Sequence, residues 1–193
     1  MNPLARFLLR AKHWQIFILM TAPFVLGMAI EFNSDWNTLL PTEGFGTSDL
    51  KTAFLWLLFM FSYLAWQWAS GAFLNSIVQP SLRMNTGFFY FSLVYPALYF
   101  IVFWAVFHNS SPVVLAVIFP LHAFATFCMF YLLYFVSKSL VAAETAKPAT
   151  FLDYAGAFFL IWFFPIGVWM IQPRINRLYA ESLSPAREIR QEM

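Results

Sequence analysis

Five long apolar runs, with charge confined almost wholly to the segments between them, constrain this 193-residue chain more than any other feature. They cover residues 14–30, 53–78, 87–107, 113–136 and 154–171. A water-soluble domain needs charge over its whole exterior. A segment of about 20 apolar residues instead matches a hydrocarbon layer of about 30 Å at 1.5 Å rise per residue. The runs carry Phe, Leu, Ile and Val without the ten-residue alternation of an outer-membrane strand. The expected fold is therefore all-α, a polytopic transmembrane helical bundle of about five spans. Loops this short leave one membrane domain over residues 1–176 and a polar C-terminal tail over residues 177–193.

Composition excludes the alternatives. At 61% hydrophobic and 10% charged, with a mean hydropathy of +0.68, the chain departs from both globular and disordered usage. Most of its 25 Phe lie inside the runs, while Trp14, Trp56, Trp104, Tyr154 and Trp169 fall near run ends, where amphipathic rings settle at headgroup level. The single cysteine, Cys128, excludes an intramolecular disulfide. His13, His108 and His122 are scattered without the i, i+4 spacing that would present two imidazoles to one metal. The sequence specifies no cofactor. It also lacks a glycine-rich phosphate loop, a G-x-S-x-G nucleophile motif and a nucleic-acid-binding surface.

The amino terminus has a secretory look, since Arg6, Arg10 and Lys12 precede an apolar run closing on Gly27-Met28-Ala29. That run is long for a signal peptide, which favours a retained first helix. Lysine and arginine counts barely orient five spans. The amino-terminal segment, second loop and fourth loop hold six, against five for the first loop, third loop and tail. The acidic first loop suits the exterior, so the expected arrangement is a cytoplasmic amino terminus and an outward tail. The four arginines Arg174, Arg177, Arg187 and Arg190 sit badly in that scheme, and a re-entrant or cleaved span would remove the conflict.

The loops are legible. Residues 31–52 form the longest connection, and His-Asn-Ser-Ser-Pro at 108–112 predicts a tight turn that makes the third and fourth helices an antiparallel hairpin. The fourth helix is expected to continue past the bilayer from Ser137 to Glu144, because no breaker intervenes before Pro148. In the final run, Pro165 and Gly167 loosen the helix and Gln172-Pro173 is expected to end it.

Inside the runs the informative residues are prolines and polar side chains. Pro23, Pro96, Pro120 and Pro165 free the carbonyls of Leu19, Ser92, Ala116 and Ile161, which predicts bent helices. His122 lies mid-span, two residues after Pro120, with Thr126 one turn on. An intramembrane ionisable group is either a functional residue or a packing histidine satisfied by a carbonyl or a tyrosine hydroxyl. The second run carries two stripes at i, i+4 spacing, Ser62-Trp66-Ser70 and Gln67-Gly71-Asn75. Small and amide-bearing residues on one face allow close helix approach and hydrogen bonding, so this helix should be central to the bundle or form a subunit interface. Tyr95 and Tyr99 share a face in the third run.

The words HWQIF before the first span, LHAFATFCMFYLLYFVSKSL in the fourth and FFLIWFFPIGVWMIQPRIN at the end give the chain a likeness. It resembles a family of small polytopic bacterial membrane proteins to which no activity is assigned. The resemblance implies an inner-membrane location and transfers no catalytic residue.

Two functional classes follow. One is a non-enzymatic scaffold, assembly or accessory subunit of a larger membrane complex, or a self-associating protein. Its partner or lipid contacts would include Ser62, Trp66, Ser70, Gly71, Arg174 and Arg177. The other is a small-molecule or lipid handler, either a transporter or a membrane-embedded enzyme, with an intramembrane cavity lined by His122, Gln67, Asn75 and Tyr99.

Overall fold

The computed structural model describes residues 2–37, 47–107 and 112–184. Among the described residues the fold is all-helical: α1 (Pro3–Arg10), α2 (His13–Asn37), α3 (Thr47–Ile77), α4 (Gly87–Phe107), α5 (Pro112–Thr145), α6 (Phe151–Trp162) and α7 (Phe164–Ser182). A 3₁₀ turn, Pro80–Leu82, lies between α3 and α4. Among the described residues three stretches are long and apolar enough to cross a membrane: His13–Phe32, Lys51–Ile77 and Ala116–Thr145. Gly87–Phe103 and Phe151–Trp162 are shorter apolar stretches. Residues 108–111 of the turn expected at 108–112 lie outside the described residues, as do Arg187 and Arg190.

Each element follows from local chemistry. Asn2 starts α1 by accepting the Leu4 N–H on its side chain at 2.9 Å, and Pro3 occupies the first turn, where a missing N–H costs nothing. Pro112 does the same for α5, which continues unbroken for 34 residues to Thr145. Pro23, Pro96 and Pro120 are accommodated within α2, α4 and α5.

Ring contacts set the helix directions. Phe24 meets Phe59 while Glu31, further along α2, accepts the indole N–H of the earlier Trp56, so α2 and α3 are antiparallel. Phe88 meets Tyr131 and Tyr95 meets Phe124, so α4 and α5 are antiparallel as well. α3 touches α1, α2, α4, α5 and α7, which makes it the axis of the bundle. Its Gly71 admits Phe89, which stacks on Phe135 at 4.1 Å, and a Cβ at Gly71 would lie 2.6 Å from the Phe89 ring.

The fifth apolar run departs from expectation. Residues 154–171 are not one helix: the chain turns at Phe163 (φ −83°, ψ 56°), where Pro165 lies in the first turn of α7 and removes a backbone donor. α6 descends along α5, with Tyr154 beside Tyr134 and Trp162 beside Phe130. α7 then returns along α3, with Phe164 beside Tyr63 and Tyr179 beside Phe73. The pair is a helical hairpin whose two ends lie at the same end of the bundle and whose tip sits near the middle of α3. Gly167 is the crossing point: a Cβ there would lie 1.6 Å from the Leu160 carbonyl oxygen, so only glycine fits. Nor does Gln172-Pro173 end the helix. α7 carries Pro173 internally and runs to Ser182, with Leu178 and Tyr179 buried, so the tail expected from residue 177 begins as packed helix.

The packed core is displaced towards that same end. Leu8, Leu9, Leu74, Phe89, Leu132, Leu140 and Ile175 are fully or almost fully enclosed there. The opposite halves of α2, α4 and α5 present Val25, Leu26, Leu98, Val102, Val117 and Phe119 outward. This is the surface expected of helices whose solvent is lipid.

Candidate functional site

Gln172 anchors a buried polar arrangement that joins three helices. Its Oε1 accepts the Trp66 indole N–H at 2.8 Å, and its Nε2 donates to the carbonyls of Leu8 and Ala11, each at 3.0 Å. One turn on, Asn176 Nδ2 donates to the Leu9 carbonyl at 2.8 Å and to the Ala11 carbonyl at 3.2 Å. A helix ends with carbonyls that lack intrahelical partners. Two amides on one face of α7 therefore close the C-terminus of α1 while Gln172 also grips α3. Gln172 is fully buried. This amide clasp joins α1, α3 and α7.

A second junction joins α5 to α7. Arg174 approaches Glu144 with two nitrogens, Nε to Oε1 at 2.9 Å and Nη2 to Oε2, and Arg177 Nη2 reaches Oε1 at 3.2 Å. A bidentate guanidinium–carboxylate pair fixes angle as well as distance. At the start of α6, the Thr150 N–H and hydroxyl both donate to Asp153 Oδ2 at 2.7 Å. These hydrogen bonds hold the Asp153 carboxyl below the usual carboxylate range.

The sequence candidates fall in three separate places. Gln67 donates to the Tyr63 hydroxyl at 2.9 Å, beside the α6–α7 tip, and Tyr63 in turn reaches the Ile161 carbonyl. Asn75 forms two bonds to the Met84 backbone, accepting its N–H at 2.9 Å and donating to its carbonyl at 3.0 Å. That pins the α3–α4 connection, where Arg83 also donates to the Ser76 and Val78 carbonyls. Tyr99 and His122 meet across α4 and α5, hydroxyl to Nδ1 at 3.1 Å. The four residues expected to line one cavity are thus divided among the bundle core, a loop junction and the α4–α5 surface.

Of the residues expected to make contacts, Trp66, Arg174 and Arg177 are engaged within the chain. Gly71 is the seat of Phe89, Ser70 is buried with its hydroxyl unpaired, and Ser62 is half-buried. His122 is different: it is exposed, as is Thr126 one turn on. Sequence reasoning missed Asn176 and Glu144 as fasteners. The signal available was an amide pair at i, i+4, Gln172 and Asn176, placed where the apolar run gives way to arginines.

Among the described residues there is no group of three His, Cys, Asp or Glu side chains able to hold a metal ion. Comparison with protein-family profiles, with curated proteins and with solved structures gives no match to this chain.

Proposed function

We propose that this chain is an integral, multi-pass protein of the bacterial inner membrane that serves as a non-enzymatic accessory or scaffold subunit of a larger assembly, its α4–α5 face being the contact surface. The carrying observation is the Tyr99–His122 pair. It lies on the outer surface of two apolar helices, flanked by exposed Leu98, Val102 and Phe119. An ionisable side chain at mid-span faces a bundle interior in almost every membrane protein, because hydrocarbon offers its remaining polar atoms nothing. In this chain the interior in question is supplied by a partner helix or a second copy. Other polar side chains, Trp66, Asn75, Gln172 and Asn176, are spent on holding the chain's own helices together, which favours a structural role over a ligand-lined cavity.

The charge pattern supports a topology for this reading. With α2 to α5 crossing and the α6–α7 hairpin entering and leaving by one face, Arg6, Arg10, Lys12, Arg83, Lys138, Lys147, Arg174 and Arg177 lie towards one end. Among the described residues Lys51 lies alone at the other. Such asymmetry orients membrane proteins with the basic side inward. The start of α1 and the end of α7 then lie on the cytoplasmic side, and Arg174 and Arg177, which conflicted with five spans, fall on the favoured side.

The test is extraction in a mild detergent followed by size-exclusion chromatography with light scattering. The expected result is a species larger than one chain that H122L together with Y99F converts to a folded single chain. A wild-type protein that is monomeric after extraction and cross-links to nothing in native membranes removes the proposal.

A further inference from the structure

The elbow between α1 and α2 carries an apolar groove of about 260 Å³, whose lining includes Phe7, Trp14, Gln15, Ile18 and Leu19. Phe7, Trp14 and Ile18 are about half exposed, so the groove is open along its length. Next in sequence to its lining residues Phe7 and Ala11 come three cations, Arg6, Arg10 and Lys12, all exposed. No carboxylate pairs with any of them among the described residues, whereas Arg174 and Arg177 share Glu144. Among the described residues the Arg10 guanidinium carbon lies 5.9 Å from the Tyr179 ring.

We infer that this elbow is a binding site for one anionic phospholipid, its acyl chain in the groove and its headgroup against Arg6, Arg10 and Lys12. The geometry of α1 supports the assignment. Ala5, Leu8 and Leu9 bury one face of the helix against the bundle. The free surface is divided between an apolar flank, Leu4 and Phe7, and a basic flank, Arg6 and Arg10. That division is how a helix lies in the plane of a bilayer surface, apolar side towards the acyl chains and cations at phosphate level. The groove continues from Trp14 to Ile18 and Leu19, one turn further along α2 and therefore deeper in the hydrocarbon. Unpaired cations at the headgroup end favour a net negative lipid over a zwitterionic one.

The site rests on the membrane reading but not on the assembly role, and its test separates the two. The full-length protein, purified in mild detergent, is titrated with phosphatidylglycerol or with phosphatidylcholine of identical chains, and native mass spectrometry counts bound lipid. The expected result is one retained phosphatidylglycerol, with preference falling about fivefold for each cation replaced in R6Q, R10Q and K12Q. I18W, which fills the groove, should abolish retention of both lipids. Near-ultraviolet circular dichroism verifies that each variant is folded, and a variant that is not folded is replaced by L19W or K12A at the same site. Equal retention of the two lipids, a preference that survives removal of all three cations, or displacement of lipid by a second copy of the chain would each overturn the site. None of these results depends on whether H122L and Y99F alter the assembly.

Discussion

Gln172 accepts the Trp66 indole proton at 2.8 Å, joining two residues 106 positions apart in the chain. The same amide donates to the carbonyls at the end of α1, so one side chain serves three helices. In lipid, where apolar burial does not drive helices together, such bonds and close packing hold the bundle. Q172L leaves the Trp66 N–H and the Leu8 carbonyl without their partner. A loss of about 2–4 kcal/mol is expected. Thermal unfolding in detergent measures it, and early proteolysis within α1 is the accompanying sign.

The α6–α7 hairpin makes a sharper prediction. G167A places a methyl carbon where the Leu160 carbonyl oxygen stands, and backbone cannot yield as a side-chain tip can. The cost should be about 3 kcal/mol or more. Gly156, in the same hairpin, has open space within 4 Å of the position an added methyl would take, so G156A should leave stability unchanged or raise it by up to about 1 kcal/mol. Equal effects of the two substitutions in a melting experiment would contradict the crossing.

Glu144 faces both Arg174 and Arg177, and Arg177 also comes within 3.9 Å of Glu181 one turn along its own helix. E144Q keeps the volume and removes the charge. Because Arg174 is 30% and Glu144 15% exposed, part of the pair is screened, and a loss of about 1–2 kcal/mol is expected. Arg177, at 61% exposure, contributes little, so R177Q should be nearly silent while R174Q reproduces E144Q in the same melting experiment.

Asp153 gives the pH dependence a sign. Its carboxyl titrates below the ordinary range because Thr150 donates to the ionised form. A depressed folded-state pKa contributes stability that is complete above the unfolded value and drains away as pH falls below about 4 through the folded value. D153N should flatten the acid limb of a melting-temperature profile and leave the neutral region displaced by a constant amount.

Topology is accessible to chemistry. N2C and S184C should react with a membrane-impermeant maleimide only from the cytoplasmic side, and K51C only from the opposite side. Cys128 is buried and serves as an unreactive background. Labelling of S184C from the same side as K51C would restore a fifth crossing.

Much of the helical fold was legible because hydrophobic length is a one-dimensional property. α5 was readable through Glu144 since nothing in Ser137–Glu144 breaks a helix, and it ends at Thr145. The centrality of α3 was visible in its small and amide-bearing residues. The hairpin in 154–171 was not, because a continuous apolar run has the same composition whether it crosses or doubles back. The decisive atoms, the Leu160 carbonyl and the missing Cβ of Gly167, meet only in three dimensions. Polar residues were recognisable as special but not as partners. Gln67 and Asn75 share a stripe on α3 yet serve the hairpin tip and the α3–α4 connection, and the mate of Trp66 lies in a distant helix. Helix period says which residues share a face and nothing of what faces them.

The doubling back at Phe163 bears on biogenesis. A segment that dips and re-emerges on its side of origin carries no hydrophilic cargo through the bilayer. It can be seated last, against helices already in place, without a translocation step. On the topology proposed above its assembly is a docking event, in which Gly167 meets Leu160 and Gln172 closes the end of α1, so the last helix completes a seat for the first that α3 has already begun.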